Sequence, residues 1–517
     1  MASVETKTSS FDRVLGAWDI LVIAFGAMIG WGWVVSTGSW IHDGGVLGAA
    51  LGFCIGGVMI FFVGLTYAEL TSAMPQCGGE HVFSYRAMGP IGSFICTWAI
   101  VLGYASVVCF EACALPTIIT YIFPNFLQGY LYTVAGFKIY ASWLAVAVGM
   151  SIIMTLVNIR GVKAAAKLQT ILTVIIGAAG ILLVVVSVIT GSTDTLMPQA
   201  FIASDDASVT IKAVLAVAVT TPFYFIGFDV IPQAAEEINV PLKKIGKILI
   251  LSVVCAVLFY ALVIIAVGLV LTNSEIMASE SGTGLVTADA MAKAMNSATM
   301  AKVIIIGGMC GIITSWNSFL MGGSRALYSM AESYMVPRFF AKLHPVYKTP
   351  VNALYLIGFL SVIAPFAGRK MLVWIVDAGN FGCCLAYCMV AMSFLILRRK
   401  EPDLERPFKV SHYKLVGWLA VVLSGFMVAL YVIPNSGATL VWQEWAMAGG
   451  WCVLGLIFGV ACKREYGERF GLLVDIISDK DAAALQSSDE EISEALDHAI
   501  DAAINKILAE RNLTTAP

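Results

Sequence analysis

Residues 26 to 33 read Gly-Ala-Met-Ile-Gly-Trp-Gly-Trp and interrupt an apolar stretch at mid-membrane depth. Glycine costs about 1 kcal/mol per residue in a helix interior relative to alanine, and unpaired backbone groups in hydrocarbon are costlier still. A helix broken here therefore needs something to occupy its freed N–H and C=O groups, and a small polar solute would do so. The packing alternative is that Gly26, Gly30 and Gly32 only let neighbouring helices approach. A second interruption, Phe225-Ile226-Gly227-Phe228-Asp229 ahead of Pro232, weakens that alternative. Glu111, within VVCFEACALP, is the most informative ionisable residue, because a carboxyl at membrane depth is expensive and points to function. It either faces the solute, pairing with a cationic group or carrying a coupling proton, or sits protonated or water-contacting near the outer end of its helix. His42, His81, His344, His412 and His498 are scattered, mostly in loops. No catalytic constellation or resident cofactor is expected, and the chain is not expected to be an enzyme.

Composition places these residues in a membrane. Of 517 residues, 59% are apolar and 13% charged, and the mean hydropathy is +0.86, far outside the soluble range. The net charge of −3 offers no footprint for nucleic acid. The cysteines lie mostly inside apolar stretches, among them Cys54, Cys96, Cys109, Cys255, Cys310, Cys383 and Cys384, without disulfide or zinc spacing. The N-terminus, MASVETKTSS, has no pattern of a cleaved signal. Segments long enough for about 30 Å of hydrocarbon fall at 17–40, 45–73, 89–121, 141–158, 168–191, 211–231, 248–272, 300–331, 351–366, 371–397, 414–434 and 441–462, which predicts twelve helices. Arg160, Lys163, Lys167, Lys243, Lys244, Lys247, Arg325, Arg338, Lys342, Lys348, Arg398, Arg399, Lys400, Lys463 and Arg464 fall on one side. The positive-inside rule then puts both termini in the cytoplasm.

Five helices separate the two breaks, so the second unit is expected to repeat the first with inverted topology and to bring two half-helix ends together near the midplane. The expected organisation is a cytoplasmic segment 1–16, a ten-helix core 17–397, a loop with two further helices 398–462, and a cytoplasmic tail 463–517. Glu236 and Glu237 are expected to pair with Lys243, Lys244 and Lys247 in an exposed cytoplasmic cluster.

Six stretches carry a family resemblance: GAMIGWGW at 26, YAELTSAMPQCGGEHVFSYRAMGP at 67, NIRGVKAAAKLQ at 158, FYFIGFDVIPQAAEEINVP at 223, GGSRALYSMAESYMVPRFFAKLHPVYKTPVNAL at 322 and ERPFKV at 405. Over residues 12 to 465 the chain resembles an amino acid permease of the amino acid–polyamine–organocation (APC) superfamily. The resemblance implies an all-α polytopic fold with a LeuT-like five-plus-five inverted repeat and discontinuous helices 1 and 6. It implies a secondary transporter of the plasma (inner) membrane, symporter or antiporter, in which helices 1, 2, 6 and 7 rock against helices 3, 4, 8 and 9.

The family's substrate carboxylate would fall on the amides of Gly30, Trp31 and Gly32, and its ammonium on the carbonyls of Met28, Phe223 and Ile226. Phe223 would serve as the aromatic lid, with Phe319, Ala105 and Val108 as walls and Glu111 one turn beyond Val108. Trp31 departs from the small residue usual between the two glycines, and its indole either shrinks the site or turns away. Glu69 and Asp229 match acidic positions tied to gating or packing. Relatives with a proton scheme use a lysine on the fifth helix, and Leu168 to Ser187 contains none. Thr314 and Ser315 stand opposite Gly26 and Ile29 as a candidate sodium site, where oxygen ligands suit a hard cation. A proton, sodium or ion-free exchange stay open.

Ser488 with Glu491 forms a capping box, and apolar residues at helical spacing predict an amphipathic helix over about 489–511 that docks on the cytoplasmic face or a partner. The sequon Asn512-Leu513-Thr514 would be idle in the cytoplasm. Three functions follow: a permease or exchanger for amino acids, a carrier for amines or polyamines that uses Glu111, and a nutrient receptor that binds without transport.

Overall fold

The computed structural model describes residues 4–8, 11–134, 136–202, 206–434, 436 and 438–477. The predicted C-terminal amphipathic helix and the sequon lie outside the described residues. Strand β1 (Val4–Thr8) precedes α1 (Ala17–Met28), which stops at the glycine cluster; the chain resumes as α2 (Gly32–Val35) and α3 (Thr37–Gly44). Helix α4 (Val46–Ala73) leads to α5 (Glu80–Ile122). This helix begins earlier than its hydropathy suggests and bends at Gly89 (φ 78°), because Pro90 disfavours helical geometry in the residue before it. A hairpin of β2 (Tyr130–Val134) and β3 (Phe137–Tyr140) joins it to α6 (Ala141–Ile159) and α7 (Val162–Thr190), with the short α8 (Thr193–Leu196) following.

The second interrupted stretch runs as α9 (Ala207–Thr220), a 3-10 turn at Thr221–Phe225 and α10 (Val230–Gln233). Next come α11 (Leu242–Val270), the loop helices α12 (Asn273–Ser281) and α13 (Val286–Ala294), and α14 (Ala298–Glu332). The remainder is α15 (Val351–Ile363), α16 (Gly368–Lys400), α17 (Tyr413–Val432), α18 (Trp442–Tyr466) and β4 (Leu473–Ile477).

Among the described residues, ten helices are long and apolar enough to cross a membrane. The first and ninth expected segments are instead met by the shorter apolar helices Ala17–Met28 and Val351–Ala367. Outward faces carry exposed Val58, Ile181, Val188, Leu258 and Leu456, a surface suited to lipid and not to water. Strand β1 pairs in parallel with β4, from Val4↔Leu473 to Thr8↔Ile477. The described residues before α1 and after α18 therefore lie side by side, just beyond the basic last turn of α18.

Candidate functional site

The two breaks interlock. Gly227, at φ 135°, lies against the first break so tightly that a Cβ there would stand 2.6 Å from the Ala27 Cβ and 3.0 Å from the Met28 nitrogen. Gly32 is pressed in turn on Tyr224, whose Cε1 would be 2.6 Å from an added Cβ. Only glycine allows this approach, which explains why both interruptions contain it. Asp229 locks the second break by accepting from the Gly227 amide at 2.8 Å, the Tyr387 hydroxyl at 2.9 Å and the Tyr104 hydroxyl. Its place in a packing network matches the acidic position read from the sequence.

Beside the breaks lies a cavity of about 170 Å³. Of the residues expected there, Met28, Gly30, Trp31, Gly32, Glu111, Phe223, Ile226 and Phe319 line it, and Ser315 joins them. Ala105 and Val108 are buried elsewhere in α5, while Val107 and Phe110 supply its wall. Adjacent positions on a helix point about 100° apart, and spacing from a motif does not resolve which of them faces the cavity. Tyr224, Tyr260, Val376 and Asn380 also line the cavity and were not foreseen. Asn380 carried a readable signal, an amide inside an apolar span.

The amides of Gly30, Trp31 and Gly32 meet no acceptor among the described residues: Ile29 still donates to Phe25 O at 2.9 Å, and the ladder resumes only where Val34 donates to Trp31 O. Three donors thus stand free at one edge of the cavity. The Met28 carbonyl accepts the Tyr260 hydroxyl at 2.9 Å, and the Phe223 carbonyl accepts Ile226 N at 3.3 Å, so both have one lone pair left for a ligand. The Trp31 indole turns toward α14 and sits over Gly308, where a Cβ would overlap the ring. The absent side chain on α14 accommodates the tryptophan that departs from the usual small residue.

Glu111 is 5% exposed and accepts from the Ser315 hydroxyl through Oε1, while its Oε2 has no partner. No ion pair among the described residues involves it. A buried carboxyl with a free oxygen on a cavity wall is suited to a ligand cation or a proton. The four residues of the candidate sodium site divide. Thr314 donates to Gly26 O at 2.9 Å and to Gly311 O at 3.0 Å, bringing those oxygens together, whereas Ser315 is turned to Glu111. The Ile29 carbonyl lies against Gly311.

Behind the first break, a chain of neutral polar groups ties four helices: Asn158 donates to Asn317 at 2.9 Å, Asn317 to Gln169 at 2.9 Å, Gln169 to Ser318 at 3.0 Å, and Ser318 to Ile23 O at 3.0 Å. No sequence pattern signals it, since single amides on separate helices share no spacing.

Toward the basic face the chain is strapped shut. Val14 and Leu15 donate to Glu237 O at 2.9 Å, and Asn239 donates to Leu15 O at 2.8 Å. Glu237 pairs with Arg325 at 2.9 Å, each side chain 1% exposed, and Glu236 accepts the Cys77 amide at 2.8 Å. This corrects the expected exposed cluster: Lys243, Lys244 and Lys247 remain at the surface, and the glutamates turn inward because Arg325 and a loop amide satisfy them there. Burial pushes the Glu237 carboxyl above its ordinary range, and the Arg325 guanidinium opposes that. Glu69 is likewise structural, bound to Arg398 at 2.6 Å, Arg406 at 3.2 Å and the Val410 amide at 2.7 Å.

Residues 15–458 match the family model described as Amino acid permease. The chain is 27% identical over 481 residues to the branched-chain amino acid permease BcaP of Bacillus subtilis, covering 89% of this chain and 95% of that protein. It is 28% identical over 457 residues to the methylthioribose transporter of the same organism, covering 85% and 95%. It is 23% identical over 411 residues to the lysine-specific permease LysP of Escherichia coli, covering 76% and 81%. A match over most of the chain, on a helical body whose two interrupted helices frame a central cavity, places this protein in the amino acid permease family.

Proposed function

We propose that this protein carries amino acids across the plasma membrane by alternating access around the cavity between its two breaks, with both termini cytoplasmic. The observation that carries the reading is that three free amides, Gly30 to Gly32, and a buried carboxyl, Glu111, line one small cavity. Free N–H donors suit a carboxylate, and hydrogen bonds to a charged group contribute about 1.5–3 kcal/mol each. Glu111 and the Met28 and Phe223 carbonyls suit an ammonium. A zwitterion satisfies both ends together, which neither a simple anion nor a simple cation does.

The LeuT-like arrangement, with twelve helices in two inverted sets of five plus two more, fits a first and sixth helix that are both interrupted and touch at their breaks. In that scheme the Arg325–Glu237 pair and the strap at Val14 and Leu15 close the basic side and must part for release. Coupling is proposed to use sodium at Gly26, Ile29, Thr314 and Ser315 or a proton on Glu111. Replacement of sodium by choline at two pH values separates these from ion-free exchange.

Uptake of labelled amino acids into proteoliposomes tests the proposal. Saturable uptake, inhibited by amino acids and not by their decarboxylated amines, is expected. Glu111 favours a second reading, an amine or polyamine carrier: inhibition by amines alone, lost in Glu111→Gln, would establish it. Binding without uptake would make the protein a receptor.

A further inference from the structure

A larger cavity, about 310 Å³, adjoins the central one away from the basic face and shares Phe223, Tyr224 and Asn380 with it. Asp377 of α16 and Glu444 of α18 both line this outer cavity. Neither forms an ion pair among the described residues. Two carboxyls on the wall of one cavity make it a favourable place for a cation. Glu444 is held in place, since it caps α18 by accepting the Val441 amide at 2.8 Å.

A second observation points into the same space. Asn380, one turn along α16 from Asp377, is 4% exposed and lines both cavities, and its carboxamide has no hydrogen-bond partner among the described residues. An amide that opens on a cavity and bonds no protein group is left to water or a ligand. The rest of the wall is largely Phe223, Tyr224, Tyr431, Met427 and Leu430. Aromatic faces and alkyl groups suit the stem and charge of an organic cation, whereas a bare metal ion would want six or more oxygens.

We propose that the outer cavity is a second binding site, specific for a primary alkylammonium group, in which Asp377 and Glu444 hold the charge and Asn380 passes the ligand toward the central cavity. The site stands whether or not the central cavity takes an amino acid, because it shares no anion-binding amide with it.

The test is equilibrium binding of radiolabelled putrescine to the purified full chain. Glu111→Gln isolates the outer site, and Asp377→Asn with Glu444→Gln removes its charge while keeping an oxygen for the Val441 cap. Putrescine binding that survives Glu111→Gln and weakens about 10- to 100-fold in the double variant is expected. Ala438→Phe, which fills the cavity and leaves both acids, is expected to weaken it as well and guards against a misfolded double variant. Three results would overturn the proposal: no putrescine binding to the wild type, binding abolished by Glu111→Gln alone, or binding within twofold of wild type in both outer-site variants. Failure of amino acid uptake would count against the central reading and leave this result untouched.

Discussion

Gly308→Ala offers a demanding test of how the cavity is built. Helix α14 passes Trp31 at this glycine, and a Cβ there would overlap the indole and stand 2.8 Å from the Val34 Cγ2. Val34 is fully buried, so the indole must yield, and the open space it borders is the central cavity of about 170 Å³. Inserting a methyl group into a packed contact costs about 1–3 kcal/mol. If a ligand must push the indole back to bind, that strain is subtracted from its affinity, and at about 1.4 kcal/mol per factor of ten the loss is about 5- to 150-fold. Dissociation constants from ligand-dependent thermal stabilisation, measured with the amino acid that shifts the wild type most, provide the assay. Trp31→Ala removes the ring, so Gly308→Ala added to it should change affinity by less than about threefold, a strongly non-additive cycle. Equal losses in the two backgrounds, or wild-type affinity in Gly308→Ala, would refute the idea that the indole is held off the site by the missing side chain.

Gly227→Ala puts a Cβ 2.6 Å from the Ala27 Cβ at φ 135°, so uptake should vanish even where the protein is purified folded. Arg325→Ala leaves Glu237 buried without its partner, at a cost of about 3–5 kcal/mol; faster hydrogen exchange at residues 14–15 and 237–239 should report the loosened strap, and unchanged exchange would place the closure elsewhere. Asn317→Ala removes the middle of the amide chain and strands the Gln169 Oε1, while Asn158 keeps its bond to Met154 O. The unfolding midpoint should fall, reflecting about 1–3 kcal/mol per stranded group, and an unchanged midpoint would mean that water replaces the amide.

Hydropathy alone placed the apolar segments, since length and the absence of charge suffice for membrane helices. Both interruptions were legible too, because a glycine cluster or a Gly-Phe-Asp before proline has no cheap place inside a helix. Glu111 stood out as a lone acid in an apolar run. Ala105 and Val108 against Val107 and Phe110 show where legibility stopped: one or two residues along a helix turn a side chain by about 100° or 200°. Glu236 and Glu237 show a second limit, as nearby lysines drew the pairing by proximity in sequence while the partner that buries Glu237, Arg325, is far along the chain.

Composition and local backbone preference were enough for the membrane setting and the location of the two breaks, and six ordered signatures were enough for the family. Packing of distant helices set the rest: Trp31 rests on Gly308, Ser315 serves Glu111, amides from α6, α7 and α14 join behind the first break, and Asp377 and Glu444 line one outer cavity. Each of these depends on which faces of distant helices are packed together, and a contact between residues hundreds of positions apart leaves no mark in the spacing of either.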